Sequence, residues 1–203
     1  MAIQSRSPII SLLIPAITTA LWFILLCGVI YPLATTVVAN LLFPYQAQGS
    51  LITVNNKVIG SELIGQNFTA PKYFHPRPSA TTKTGGTDAQ PYNAAQSGAT
   101  NYGPTNKKLI DAVKGAVTAY RKENGLADNT PVPIDAVTNS ASGLDPDISI
   151  ANANLQASRV AKARNKPVAE VQKLVSDNTT GRQWGFLGEP RVNVLKLNLA
   201  LDK

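Results

Sequence analysis

Between Arg6 and Lys57 the sequence carries no Asp, Glu, Lys, Arg or His. Inside that interval, Ile9 to Ile30 is dominated by Ile, Leu, Val, Ala, Trp and Phe, and Tyr31 follows. A helix needs about 20 apolar residues to cross a bilayer core. In hydrocarbon only a helix or a closed barrel satisfies its own backbone hydrogen bonds, and one isolated segment cannot close a barrel. The run therefore reads as one transmembrane helix. The hydroxyls of Ser11, Thr18 and Thr19 can bond back to their own helix, and Pro15 lies in the first turns, where a kink is tolerated. Trp22 falls mid-span, whereas Tyr31 near the far end is placed as an interfacial anchor. Ser11, Thr18, Thr19, Ala20 and Gly28 are small or hydroxylic, as contacts between helices in membranes prefer, which makes Thr18 and Gly28 the packing candidates.

A cleaved signal peptide competes with this reading. Arg6 gives a basic start, and Val37-Val38-Ala39 loosely fits a small-residue cleavage site. A signal's apolar region, however, runs about 7–15 residues, much shorter than this one. A lipid-modified Cys27 is set aside because Leu26 stands where a small residue is expected and the cysteine lies deep in the apolar run. Basic residues flanking a span stay in the cytoplasm. Arg6 precedes the span and nothing charged follows until Lys57, so the expected orientation is N-terminus inside and domain outside. The expected division is residues 1–44 as anchor with its exit segment and residues 45–203 as one extracytoplasmic domain, a normal size for a single core.

That domain has no cysteine with which to form a disulfide, since the sole one, Cys27, is in the span. The whole chain has 19 basic and 12 acidic residues; without Arg6 the balance is +6. Lys107-Lys108 and Arg121-Lys122 are the only adjacent basic pairs, and no aromatics interleave them. A solvated basic surface explains that pattern better than a nucleic-acid site.

Pro32 is expected to end or kink the membrane helix, because proline cannot donate the backbone bond; the apolar Leu33 to Phe43 then resumes it or lies along the interface. Leu51–Val54 and Lys57–Ile59 flank Asn55-Asn56 and predict a hairpin. Gly65 to Pro104 is rich in Gly, Pro, Ser, Thr and Asn, with little periodicity; its aromatics and the pair Pro76 and Pro78 predict an ordered loop rather than a linker. Asn106 to Asn124 is helical in period, with Leu109, Val113, Ala116, Val117 and Tyr120 on one face, Thr105 as N-cap and Gly125 as C-cap. Pro131 to Val137 reads as an extended entry into a short strand or turn, and Ser140 to Pro146 as a loop. A second helix is predicted at about Ile150–Asn165, with Leu155, Arg159, Lys162 and Ala163 at helical spacing and Asp147 or Ser149 as cap. A third opens at Pro167 and carries Val168, Val171, Leu174 and Val175. Leu195, Leu197, Leu199 and Leu201 alternate with other residues and predict a closing half-buried strand over Val192–Leu201. The fold class is therefore a mixed α/β (α+β) domain on one N-terminal transmembrane helix.

No catalytic constellation emerges. A serine triad would need His75, the only histidine, with Ser79, Ser140 or Ser142; Pro76 follows the histidine directly, and Ser140-Ala141-Ser142-Gly143 lacks the leading glycine of a nucleophile elbow. One histidine without a domain cysteine makes a poor metal site. Thr84-Gly85-Gly86-Thr87 lacks the lysine of a phosphate loop and reads as a turn. Asp145 and Asp147 either face a cation together, or Asp145 bonds its own turn while Asp147 caps the next helix; the second is favoured. The alternative class is a free membrane-anchored exported enzyme or binding protein, with a cleft lined around Phe74 and Arg77, functional without its anchor.

Five stretches carry a family resemblance: Gly65-Gln66-Asn67-Phe68; Tyr73 to Ala80; Ser142 to Ser149; Gln156 with Arg159 to Arg164; and Gly188 to Leu195. In this order, behind a single N-terminal span, they resemble the C subunit of the Kdp potassium-transporting ATPase over almost the whole chain. The family often has histidine where Asp147 stands and often near Asn178, so no role that needs imidazole there is carried over. The resemblance implies a non-catalytic accessory subunit of a bacterial inner-membrane complex that moves K⁺ inward with ATP. Its implied partners are a channel-like K⁺-translocating subunit, a P-type ATPase subunit and a very small membrane subunit. ATP and K⁺ are handled by the complex, and no bound cofactor or metal is implied. Two roles follow: stabilising assembly with the domain over the K⁺ entrance, or acting as a catalytic chaperone that raises the ATPase subunit's affinity for ATP, with Gln156 in nucleotide binding. Interface candidates are Phe74, Arg77, Ser142, Gly143, Asp145, Asp147 and Arg159. The expected orientation puts Gln156 outside while ATP is in the cytoplasm, and Gln156 can instead bond the loop from Ser142 to Ser149. The structural role is therefore favoured.

Overall fold

The computed structural model describes residues 8–203; Arg6, on which the orientation rests, lies outside the described residues. The chain forms two compact units that divide between Leu51 and Ile52.

In the first unit, α1 (Pro8–Leu25), a π-helical turn (Leu26–Ile30) and α2 (Tyr31–Leu42) follow one another without interruption. The apolar helix Ile9–Leu42 is 34 residues long. At about 1.5 Å per residue it exceeds the roughly 30 Å of a bilayer core. Pro32 does not end it. Its missing N–H falls in the first turn of α2, and the π turn just before it closes with a Tyr31 N–H to Leu26 O bond, which resets the bonding register where the proline would otherwise leave a gap. Thr18 Oγ1 donates to Ile14 O at 2.8 Å, as anticipated. Gly28 is open: a Cβ there would come no closer than 4.0 Å to Ile24 Cγ2. A short helix, α3 (Pro44–Ala47), completes the unit.

From Ile52 on, the second unit takes in the hairpin of β1 (Leu51–Val54) and β2 (Lys57–Ser61), all but the first residue of β1. Asn55 and Asn56, at φ 49° and 60°, make its two-residue left-handed turn. A long irregular segment leads to α4 (Lys107–Asn124). Asn106 rather than Thr105 caps it, its side chain accepting from Lys108 N, and Gly125 ends it at φ 63°. Its buried side is the one the periodicity marked, ending at Tyr120. The stretch after Pro131 forms a 3₁₀ turn at Ile134–Ala136. Then come β3 (Asp147–Ser149), α5 (Ile150–Arg164), α6 (Val168–Asp177), β4 (Thr179–Thr180), β5 (Arg191–Asn193) and α7 (Val194–Leu201). The second sheet has the order β3-β5-β4, antiparallel, with Ile148 opposite Val192 and Thr179 opposite Val192 on the other side.

One sequence expectation is corrected here. The closing segment is a strand for three residues only and then a helix. Asn193 caps α7 by accepting from Lys196 N, and Val194, Leu195, Leu197, Asn198 and Leu201 are buried. Those positions also recur at helical spacing, so the alternating leucines were ambiguous, and the cap decided. The helix predicted at Ile150–Asn165 is present as α5, and its buried face, which the spacing did not specify, is Asn152, Ala153, Gln156, Ala157, Val160 and Ala161. Small residues let α5 lie close to its neighbours, and its buried amides carry the bonding described below. The core joins Phe74, Ile148, Val160, Val171, Val175, Val192, Val194, Leu197 and Leu201 across these elements.

Candidate functional site

The segment around Phe74 and His75 runs through the protein without a strand beside it, so its backbone groups need other partners. Two side-chain amides supply them. Phe74 N donates to Asn198 Oδ1 at 2.8 Å, and Asn198 Nδ2 donates back to Phe74 O at 2.9 Å. His75 N donates to Gln156 Oε1 at 2.7 Å, and Gln156 Nε2 donates to His75 O at 3.1 Å. α7 and α5 thus each present one amide that imitates a neighbouring strand. Phe74 itself is fully buried in the core.

Gln156 makes two further bonds. Its Oε1 accepts from Arg159 Nη2 at 2.7 Å, and its Nε2 donates to Asn152 Oδ1 at 2.9 Å. A glutamine amide has two donor hydrogens and two acceptor lone pairs, and here all are used. The residue is 1% exposed. It lines a cleft of about 380 Å³ with His75, Tyr92, Tyr120 and Glu123, yet has no bonding capacity left for a ligand there. Its partner segment is the 70s loop, not the Ser142–Ser149 loop anticipated from sequence.

Arg159 extends the network, donating from Nε to Asn124 Oδ1 at 3.0 Å and from Nη1 to Pro71 O at 2.6 Å and Tyr73 O at 3.0 Å. Burial lowers its guanidinium pKa from the ordinary value. The His75 ring sits between Glu123 Oε1, 2.7 Å from Nδ1, and Ala70 O, 3.1 Å from Nε2. None of Ser79, Ser140 and Ser142 is among its hydrogen-bond partners in the described residues. The hydrogen bond from His75 holds the Glu123 carboxyl below its ordinary range. A depressed folded-state value means that this pair's stabilisation is complete above the unfolded carboxylate pKa of about 4.5 and is lost as the pH falls through the depressed value. The urea midpoint of the Glu123→Gln variant should therefore fall less steeply between pH 5 and 3 than that of the parent.

The Ser142 loop docks on the other side of the irregular segment. Ser142 O accepts from Gly98 N and Ser97 Oγ, both at 2.9 Å. Ser79 Oγ donates to Gly143 O at 2.7 Å and accepts from Tyr92 N at 3.0 Å. Tyr92 Oη donates to Arg77 O at 2.8 Å, and Gly65 N to Leu144 O at 2.8 Å. Thus the segment from 65 to 104 is ordered by side-chain and backbone bonds without regular structure, as its aromatics and prolines predicted.

The two aspartates do not form a bare cation-facing pair. Asp145 Oδ1 accepts from Asp147 N at 3.0 Å, the turn bond anticipated, while its Oδ2 meets Arg77 Nη1 at 2.8 Å. Asp147 does not cap α5. It lies in β3 with its Oδ2 2.8 Å from Arg191 Nε, and Ser149 takes the capping role through Asn152 N. Burial pushes the Asp147 carboxyl up, against the pull of Arg191. Both carboxylates line one cleft with Asp135, Glu189, Arg77 and Arg191. Asp135, not singled out from sequence, accepts from Ser149 N, Ser149 Oγ and Asn152 Nδ2. Among the described residues no group of three His, Cys, Asp or Glu side chains could hold a metal ion.

Of the residues singled out, Phe74, Gln156 and Arg159 converge on one network, while Arg77, Ser142, Gly143, Asp145 and Asp147 belong to the neighbouring loop contact. Asn198 was missed. Its signal was an amide at helical spacing with the buried Val194, Leu195 and Leu201 of α7.

A model of the family KdpC, described as K⁺-transporting ATPase, c chain, matches residues 13–203. The chain is 55% identical over 191 residues to the potassium-transporting ATPase KdpC subunit of Mycobacterium tuberculosis (strain H37Rv), covering 94% of this chain and 97% of that one. It is 55% identical over 194 residues to the subunit of the same name from Bradyrhizobium diazoefficiens, covering 93% and 95%. To the one from Rhodopseudomonas palustris (strain BisB18) it is 56% identical over 193 residues, covering 93% and 96%.

Proposed function

The chain belongs to the KdpC family of K⁺-transporting ATPase c chains, and from that premise we propose that its domain is a structural element of the complex rather than a nucleotide-handling one. The observation that carries this reading is the saturation of Gln156: all four of its hydrogen-bonding positions are spent on His75, Asn152 and Arg159 inside the protein. A residue so engaged contributes to nucleotide affinity only through the shape of the domain. The proposed role is to stabilise assembly of the channel-like, P-type ATPase and small membrane subunits in the bacterial inner membrane. The domain lies on the side away from ATP, over the K⁺ entrance, with the chain's N-terminus cytoplasmic. Thr18 and Gly28 are the proposed contacts of the membrane helix with another helix, since Gly28 leaves room for close approach.

A domain with a balance of +6 would repel K⁺ if its basic surface faced the entrance. The cleft that groups Asp135, Asp145 and Asp147 against Arg77 and Arg191, with Glu189 at its edge paired to Arg182, is the face we assign toward the cation path.

Sidedness tests the reading. Ser158 is exposed and stands two residues from Gln156. With Cys27→Ala in the background, a Ser158→Cys variant is treated in intact cells with a membrane-impermeant maleimide. Labelling from outside is expected and leaves direct contact with cytoplasmic ATP untenable. Protection until the inner membrane is opened would reverse the orientation and favour the chaperone role.

A further inference from the structure

The segment between β4 and β5 ends in a tip that the fold has no internal use for. Trp184 is 85% exposed, Phe186 68% and Leu187 43%. The tip is nevertheless tightly built. Gln183 and Leu187 exchange backbone bonds in both directions at 2.9 Å, and Phe186 N and Gly185 N donate to Gln183 O and Arg182 O at 3.2 Å. Arg182 Nη2 and Glu189 Oε2 close its base at 2.7 Å. Trp184 and Gly185 are held at φ 51° and 83°, a region that a bulky side chain such as tryptophan enters only at a cost. Packing inside the protein does not repay that cost, since the indole faces solvent. The base of the tip continues into Gly188, Glu189 and Pro190, which share a cleft with Ile134, itself 76% exposed.

We infer that the Trp184–Leu187 tip is a plug that inserts into an apolar, polar-rimmed recess on another subunit of the same complex. This rests on the subunit role proposed above. The form matches the anatomy of binding hot spots: rigid aromatic anchors at the centre and a charged rim around them. Charge decides between a protein and a lipid occupant. A lipid-binding tip is flanked by uncompensated Lys and Arg that meet anionic headgroups. Here the cations at the base are both paired, Arg182 with Glu189 and Arg191 with Asp147, and Glu189 would itself be repelled by such a surface. A recess whose rim offers both signs fits the ion pairs; an anionic bilayer does not. Because the backbone is already fixed, docking orders little beyond the side chains, which favours tight retention.

The test uses the full chain assembled with the other subunits. First, a benzophenone-bearing amino acid replaces Trp184, and its photo-crosslinks are identified by mass spectrometry. Second, a Trp184→Ser/Phe186→Ser variant is compared with the parent for retention on the affinity-purified ATPase subunit after detergent washing. A crosslink to one of the other subunits and a fall in retention of about tenfold or more are expected. The thermal midpoint of the variant chain alone should stay close to that of the parent, because the removed surface is solvent-exposed. Undiminished retention, or crosslinks only to lipid or to a second copy of this chain, would overturn the plug. If the parent chain itself fails to co-purify, the subunit role falls, and the plug with it.

Discussion

Replacing Gln156 with alanine lowers the stability of the domain by about 3–5 kcal/mol, the range for emptying a buried site while stranding its partners. The substitution leaves His75 N–H and C=O, Arg159 Nη2 and Asn152 Oδ1 each one partner short in a place that is 1% exposed. For a unit of this size each kcal/mol shifts the melting temperature by roughly 2–4 °C, so a fall of about 10 °C is expected in circular dichroism of the detergent-solubilised chain. Hydrogen exchange should show the loss first in the 70–80 segment, which Gln156 and Asn198 hold in place. In the same experiment Mg-ATP at millimolar concentration should leave the parent's melting temperature unchanged. A ligand at a hundred times its Kd would add about 2.7 kcal/mol, which is readily seen. Such a shift with ATP in the parent, absent from a Gln156→Ala variant that is otherwise as stable as the parent, would restore the nucleotide-binding role.

A Gly143→Ala substitution should be nearly as severe, at about 3 kcal/mol or more. Gly143 is buried at φ +68°, and a Cβ there would stand 2.5 Å from Thr81 Cγ2 and 2.8 Å from Gly98 O. The carbonyl is backbone, and its residue is tied to the same loop through the Gly98 N to Ser142 O bond at 2.9 Å. Neither side can yield without parting the Ser142 loop from the segment it orders. Gly125 is the control. It also has a positive φ, +63°, but nothing lies within 4 Å of its Cβ position. Gly125→Ala should cost only the left-handed conformation, about 1 kcal/mol. Equal effects at the two positions, measured by urea denaturation, would remove the crowding argument and leave backbone conformation alone.

The residues singled out from the sequence look different once their neighbours are known. Phe74, Gln156 and Arg159 stand 82 and 3 residues apart in sequence, and read singly they invite a ligand. In the structure Phe74 anchors the irregular loop in the core and bonds Asn198 of α7, while Gln156 and Arg159 form a closed polar junction that fastens the same loop to α5 through His75, Pro71 and Tyr73. The same holds for Asp145 and Asp147, whose spacing permits a shared cation but whose charges are answered by Arg77 and Arg191. Where local chemistry sufficed, the sequence was read correctly: the Asn55-Asn56 turn, the Gly125 cap, the amphipathic face of α4 and the self-bonded Thr18. Where it failed, two readings were locally equivalent. Alternating leucines in α7 suit a strand or, with Asn198, a helix. In α5 the spacing of Leu155, Arg159, Lys162 and Ala163 gave the helix but not its buried face, which is made of alanines, Val160 and amides whose value depends on what they meet.

The sequence by itself determined the apolar helix, the absence of disulfides from the domain, most of the helix limits and the family to which the chain belongs. These depend on composition, on cap and turn chemistry within a few residues, and on the identity of side chains in order. Only the tertiary structure decided what Gln156 and Asn198 bond, which face of α5 is buried and that the Trp184 tip stands free. A hydrogen bond between residues 81 apart, such as that from His75 to Gln156, leaves no periodic trace in the chain. Its existence rests on how helices pack, and that packing is a property of the whole core.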